Sequence, residues 1–358
     1  MSEELRGRAS GRVQRERNPG VTDIAQELGR YGPETCEEMS AEQARVWCAR
    51  LARSRRENFS VISALVPPGK RDDFAALYAF CRWADDLGDE MGSPERSLEL
   101  LAWWRRELEA CFAGEPRHPV FRALRPTITR FDLPIRPFDD LIRAFEMDQR
   151  QSRWQTWDEL LGSCRLSADP VGRLVLMVLG EPRDAAHFEP SDRICTALQL
   201  TNHWQDVRRD LLERGRIYIP RELTDAVPDF EARLASTARH GYAPDRDFLA
   251  AFRSVLRVCV DRTWSMWEAG EPLQQRVAPA HRPLIWLFSA GGRHVLRKVE
   301  ETGLETCIER SRLSRVSKAL LVARAWWMAR SSRRGAHSDR KGGGASEPVT
   351  PATARVGA

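Results

Sequence analysis

The sequence predicts an all-α fold: one domain of many helices over residues 41–330, with polar extensions 1–40 and 331–358 at the two ends. Three observations carry that expectation. Every sustained apolar pattern has the helical period, as in Phe74, Leu77, Tyr78 and Cys81, or Phe138, Leu141, Ile142 and Phe145. No alternating strand or hairpin turn interrupts them. The chain has 358 residues, 42% of them hydrophobic, which is enough for one large core, and no repeat of 20–50 residues divides it.

Residues 1–40 are rich in Arg, Glu, Gly and Ser and lack an apolar stripe, so they are expected to be disordered. Ser40 then caps a helix over 41–56, with Gln43 three residues on as its capping-box partner. Val66-Pro-Pro-Gly69 breaks the chain, and 70–90 is the next helix. Further helices are read over 97–112, 120–131 (broken by Pro126) and 137–149, and a short one starting at Thr156 or Asp158. Asp169-Pro170 opens a buried helix over 171–179. Ser191 is expected to cap a long helix over 191–212, which Gly215 stops. Ile217-Tyr-Ile-Pro220 leaves in extended form. Helices over 248–269, 281–302 and 314–329 complete the domain, and the low-complexity end from about Ser331 is expected to be disordered.

Composition excludes several classes. Fifty-six basic against 51 acidic residues leave +5, and the excess sits in the ends: Arg12, Arg15, Arg17, then Arg330, Arg333, Arg334, Arg340 and Lys341. No basic stripe with interleaved aromatics supports a nucleic-acid binder. Eight cysteines without CxxC or Cys/His ligand spacing read as reduced thiols of an intracellular protein. Residues 1–20 are polar and Arg-rich, unlike a secretory signal, and the longest apolar run, 174–179, is far below the ~18 residues of a membrane span. The expected location is the cytoplasm, with at most peripheral contact at the inner face of the membrane.

The chemistry concentrates in two stretches. Arg82-Trp-Ala-Asp85-Asp86-Leu-Gly-Asp89-Glu90 places Asp85 and Asp89 at i and i+4, on one helix face, with Arg82 a turn earlier. Far downstream, Gln199, Asn202, Asp206 and Asp210 make a second stripe of oxygen ligands. Magnesium takes hard oxygen ligands, keeps water, and is held by one or two carboxylates plus substrate phosphate. Two facing acidic helices therefore fit a cage for a magnesium-bound diphosphate, with Arg82 adding a charge-assisted hydrogen bond. Either stripe alone is more often a solvated face, and Arg209 and Arg214 compete for Asp206 and Asp210 as salt-bridge partners. Tyr78, a turn before Arg82, would meet phosphate or water, or make a structural hydrogen bond. His203, one residue from Asn202, faces elsewhere and reads as structural.

Tyr78-Ala-Phe-Cys-Arg82-Trp-Ala-Asp85-Asp86-Leu-Gly-Asp89 resembles the first aspartate-rich motif of the squalene and phytoene synthases. Asn202-His-Trp-Gln-Asp206-Val-Arg-Arg-Asp210 resembles their second, and Gly215-Arg216-Ile-Tyr218-Ile-Pro220 the segment that follows. The resemblance covers roughly 42–328 and implies a class I isoprenoid synthase helical bundle with a central cavity. Asp85, Asp86, Asp89, Asn202, Asp206 and Asp210 would hold Mg2+; Asp85, Asp89, Asp206, Asp210 and Tyr78 would be catalytic. Arg82, Gln205, Arg216, Tyr218 and Arg71 would bind diphosphate, and the basic cluster Arg310, Arg312, Arg315 and Lys318 would close the pocket. Phe59, Leu77, Val175, Leu179 and Leu198 would line the cavity.

Glu57-Asn-Phe-Ser-Val61, the 167–174 stretch and Gln205 in place of the usual arginine resemble the hydroxysqualene synthase (HpnC) branch. That branch implies presqualene diphosphate as substrate, supplied by a separate presqualene diphosphate synthase from farnesyl diphosphate. The product, hydroxysqualene, would pass to a separate flavin reductase. Ser163 stands where much of the family has a tyrosine, which weighs against condensation of two farnesyl diphosphates. That condensation, to presqualene diphosphate, squalene or a carotenoid precursor, is the rival reading. A non-catalytic interaction protein on the same scaffold is the third, and the intact acidic motifs argue against it.

Overall fold

The computed structural model describes residues 24–54, 65–241 and 245–342. Among them there is no strand, only two isolated bridges, Tyr31 with Cys36 and Arg153 with Ile217. The helices are α1 Ile24–Tyr31, α2 Ala41–Ser54, α3 Arg71–Asp89, α4 Pro94–Ala113, α5 Pro119–Phe131, α6 Arg136–Arg150, α7 Trp157–Ser167 and α8 Asp169–Leu179. They continue with α9 Ala185–Gln205, α10 Val207–Arg214, α11 Phe230–His240, α12 Arg246–Gly270, the single turn α13 Leu273–Arg276, α14 Arg282–Glu301 and α15 Arg315–Gly342. Each acidic motif lies on a helix at the centre of its own half. Helices α2, α4, α5 and α6 surround α3; α7, α8, α12 and α14 surround α9; and α8 touches both centres.

Aromatic packing fixes α3. Trp83 stacks on Trp104 at 5.4 Å, Phe80 stacks on Trp104 at 5.9 Å and meets Phe138 edge-on at 5.1 Å. Such pairs add roughly 0.5–1.5 kcal/mol each beyond the area they bury. His118 sits fully buried among these rings, and burial holds its pKa well below the ordinary value, so it is neutral. From Tyr78 to Asp89 the residues left even partly open are Tyr78, Cys81, Arg82, Asp85 and Asp89, a single stripe at helical spacing.

Local signals account for most helix ends. Ser40 and Gln43 form the reciprocal capping box, Ser40 N–H donating to Gln43 Oε1 at 2.9 Å and Gln43 N–H to Ser40 Oγ at 3.2 Å. Thr156 caps α7 through Glu159 N–H at 3.2 Å. Gly215, at φ +65°, ends α10 in the left-handed conformation that glycine adopts without cost.

Four expectations need correction. The extension 1–40 is not featureless: 24–31 is helical, and Tyr31 is fully buried against Trp47 and His118. The second motif helix starts at Ala185 rather than Ser191, capped by Asp184, with Pro190 inside it. Proline removes the N–H that would bond the carbonyl four residues back; here that carbonyl, of Ala186, accepts from Arg276 instead. The last helix runs on to Gly342, past the expected boundary at Ser331. Pro126 does not break α5, which is continuous. Phe59 and the 57–61 stretch lie outside the described residues.

Candidate active site

On the first wall, Arg82 turns back onto its own helix. Its Nη1 bonds Asp85 Oδ2 at 2.9 Å, its Nη2 bonds Asp86 Oδ1, and Glu90 lies 3.6 Å away. Asp86 is buried, while the Asp85 side chain is 42% exposed. Asp89, at the end of α3, pairs with two arginines from the other half: Arg214 Nη2 at 2.7 Å and Arg216 Nη1 at 3.2 Å.

The second wall is not one helix. It breaks at Asp206, whose backbone (φ −106°, ψ 13°) is both the end of α9 and the start of α10. The break keeps Asp206 and Asp210 on the inner side but buries both. Asp206 pairs with Arg209 at 2.9 Å and with Arg310, whose Nη2 donates to Oδ2 at 3.1 Å. Asp210 pairs with Arg214 at 3.1 Å and Arg209 at 3.5 Å. Burial raises the Asp210 pKa, against the opposing pull of Arg209 and Arg214.

One side chain joins the walls. Arg214 holds Asp210 with Nη1 and Asp89 with Nη2, so the two acidic stretches stand a single guanidinium apart. Behind them lies a group that the sequence did not flag. Asp148, near the end of α6, accepts from Tyr218 Oη at 3.3 Å and pairs with Arg216 at 3.2 Å, while its carbonyl takes Arg216 Nη2 at 2.9 Å. Burial, reinforced by the Asp89 charge and opposed by Arg216, pushes its pKa up to about 6. Its neighbours Glu146-Met-Asp-Gln149 read as an ordinary polar helix end, so no sequence signal marked it.

The sequence-derived residues divide as follows. Asp85, Asp86, Asp89, Arg82, Asp206, Asp210 and Arg216 come together. Asn202 is exposed one turn before Asp206, and Tyr78 is on the same open stripe as Arg82. Tyr218 is held between Trp154 at 4.4 Å and His203 at 3.6 Å, and burial raises its pKa well above the ordinary value, so it is a neutral phenol. His203 is buried with its pKa pushed down to about 3, first by burial and then by Arg216, in keeping with a structural role.

Gln205 does not face the cage: it is buried, and its amide donates to the Ser311 carbonyl. Arg71 is exposed at the far end of α3, fourteen residues before Asp85 and so roughly 21 Å away along the axis. Of the 310–318 basic cluster only Arg310 reaches the carboxylates; Arg312, Arg315 and Lys318 are exposed. Leu77 and Leu179 are buried, and Val175 and Leu198 are part-buried against the core. Ser163 is buried, with its hydroxyl donating to the Leu160 carbonyl at 2.7 Å.

The donor set suits magnesium. It is made of carboxylate and amide oxygens, and Asp206 Oδ1 is buried and ion-paired with Arg310 while accepting no hydrogen bond. Among the described residues no three His, Cys, Asp or Glu side chains converge on one point. Ions that draw most of their ligands from water and phosphate have no need of such a cluster.

Comparison with known proteins shows the family. The squalene/phytoene synthase family profile matches residues 52–319. The chain belongs to the squalene/phytoene synthase family. It is therefore an enzyme of a family that acts on prenyl diphosphates, and its helical architecture is that of the family. Hydroxysqualene synthase of Sinorhizobium fredii is 40% identical over 176 residues, 49% of this chain and 59% of that enzyme, so the match spans little more than half of the relative. Hydroxysqualene synthase of Rhodopseudomonas palustris is 34% identical over 62% of this chain and 83% of that enzyme. Among solved structures, squalene synthase HpnC of Alicyclobacillus acidocaldarius superposes with a TM-score of 0.65 at 39% identity, covering 74% of this chain and 95% of the other.

Proposed function

We propose that this enzyme converts presqualene diphosphate and water to hydroxysqualene and diphosphate. The observation that carries the reading is that Arg214 pairs with both Asp89 and Asp210, so the two acidic stretches stand one guanidinium apart, where an ion-bound diphosphate would take the place of that bridge. The names of the hydroxysqualene synthase relatives and the buried Ser163 support the choice of substrate. Mg2+, held by Asp85, Asp89, Asn202, Asp206 and Asp210, would neutralise the leaving diphosphate.

The chain's own residues do the rest. Arg82, Arg209, Arg214, Arg216 and Arg310 already neutralise the carboxylates, and each can turn a donor toward phosphate oxygens as the ions arrive. The C–O bond breaks with its electron pair leaving on diphosphate. The cyclopropylcarbinyl cation rearranges, water adds, and one proton is lost. Leu77, Val175, Leu179 and Leu198 would keep bulk water from the cation until that addition. Asp148, with a pKa near 6, and the neutral Tyr218 hold Arg216 in place rather than touch the substrate.

Both substrate and product carry a C30 hydrocarbon skeleton, so peripheral contact with the membrane belongs to this reading; no described helix is long and apolar enough to cross one. A separate synthase would supply presqualene diphosphate, and a separate flavin reductase would consume the alcohol. The test offers purified protein and magnesium either presqualene diphosphate or farnesyl diphosphate, with products identified by mass. Hydroxysqualene from presqualene diphosphate alone is the expected result. Consumption of farnesyl diphosphate alone would establish the rival, head-to-head condensation.

A further inference from the structure

Helix α15 has two apolar faces and packs only one. Ala325 is fully buried, and Leu321, Val322, Met328 and Ala329 around it are part-buried, where the helix lies on α14. On the opposite side Val316, Leu320, Ala323 and Trp327 follow at i, i+4, i+7 and i+11, one stripe of the helix. Val316 is 68% exposed, Leu320 65% and Trp327 67%, with Trp326 beside them at 51%. A helix apolar on both sides belongs in a core or at an apolar boundary.

Charge identifies the boundary. Between Arg315 and Gly342 eight residues are basic and one, Asp339, is acidic, giving +7 against +5 for the whole chain, so the remainder is slightly acidic. Arg315 and Arg330 are exposed beside the stripe, and the Arg330 guanidinium lies over the Trp326 ring at 4.2 Å. A second copy packed on this face would bring two strongly basic helices together. An anionic bilayer offers the opposite charge, and tryptophan is enriched at the level of lipid headgroups.

We propose that the outer face of α15 docks the enzyme on an anionic lipid surface, with Val316, Leu320 and Trp327 entering the headgroup layer and the basic residues lying on it. The helix starts five residues after Arg310, which pairs with Asp206, so the chain runs from the candidate site directly into the docking helix. This gives the membrane contact proposed above a surface. Its test needs no turnover, so it can fail independently of the chemistry.

The full chain is floated with vesicles of phosphatidylcholine containing roughly one-third phosphatidylglycerol, and with phosphatidylcholine alone. Binding to the anionic vesicles, weakened by salt, is the expected result. The double variant Leu320→Gln/Trp327→Gln should lose about tenfold in partitioning, because apolar burial is removed. Arg330→Gln should lose several-fold at low salt only, and Val316→Gln gives an independent reading at the other end of the stripe. All these variants should keep the parent's far-ultraviolet circular dichroism and its turnover of detergent-dispersed substrate. Equal flotation of parent and Leu320→Gln/Trp327→Gln would overturn the proposal, as would failure of the parent to bind. So would a parent dimer, seen by light scattering, that the double variant converts to monomer, since a second copy would then cover the face.

Discussion

The two acidic walls each carry a pair of aspartates four residues apart, yet they are built differently. The first is an unbroken helix whose buried sides are locked by tryptophan and phenylalanine, and its outermost carboxylate, Asp85, is 42% exposed and held by one arginine of its own helix. The second is broken at Asp206, and its carboxylates are buried and held by Arg209, Arg214 and Arg310. A fixed, open wall can take an ion with little rearrangement. A closed wall must exchange guanidinium partners first, and those released arginines are then free to meet the diphosphate. On the proposed reaction, the asymmetry would give ion entry to the first wall and leaving-group capture to the second.

Turnover is the harshest test. Asp85→Ala and Asp206→Ala should each lower turnover of presqualene diphosphate by about a thousandfold or more, the equivalent of ~4 kcal/mol in the transition state. Near-normal product formation in either variant, measured by mass, would remove that wall from the reaction.

Stability should separate what turnover does not. Removing Asp85 deletes a half-exposed ion pair, and such pairs contribute at most about 1 kcal/mol. Removing Asp206 takes the buried acceptor from Arg310 and one of two from Arg209, at a cost of about 2 kcal/mol. Urea unfolding of the two variants should therefore differ clearly. Equal losses would mean that the walls are equally rigid.

Acidity probes the joint behind the walls. The Asp148 carboxyl has a pKa near 6 in the fold and about 4 in the unfolded chain, so between those values the folded state binds the proton more tightly. The contribution of this group is full below pH ~4 and is lost as pH rises to about 6. Relative to Asp148→Asn, the parent should lose stability across that window and run parallel to it above. A parent that gains stability over the same range would mean that Arg216 outweighs burial.

The contrast also shows what a sequence exposes. The first wall was legible almost residue by residue, because α3 obeys one period from Phe74 to Asp89 and its ligands fall on one face. The second was legible in its residue types but not its geometry. Pro190 frees the Ala186 carbonyl inside the helix, and Arg276, ninety residues away, takes it; no local pattern reports that contact. The role of Arg214 was half-visible: i,i+4 spacing marks its bond to Asp210, whereas the bond to Asp89 is tertiary. Asp148 left no trace, since a carboxylate at a polar helix end acquires its shifted pKa only from what packs around it.

Gln205 gives the smallest and most local effect, and it tests whether the closed wall is held shut from outside. Its side chain points away from the carboxylates and donates to the Ser311 carbonyl, next to Arg310. The segment that brings Arg310 onto Asp206 is thus anchored one residue before the break between α9 and α10. Gln205→Met keeps the length and removes the donor, which leaves the Ser311 carbonyl without that partner at a cost of about 1 kcal/mol. Loosening the anchor should let Arg310 leave Asp206 more readily. If Arg310 captures the leaving group, KM for presqualene diphosphate rises a few-fold while kcat changes less, because a binding contact is blurred and the carboxylates stay in place. If kcat falls and KM is unchanged, the anchor serves the second wall's carboxylates directly, and the division of labour between the two walls is wrong.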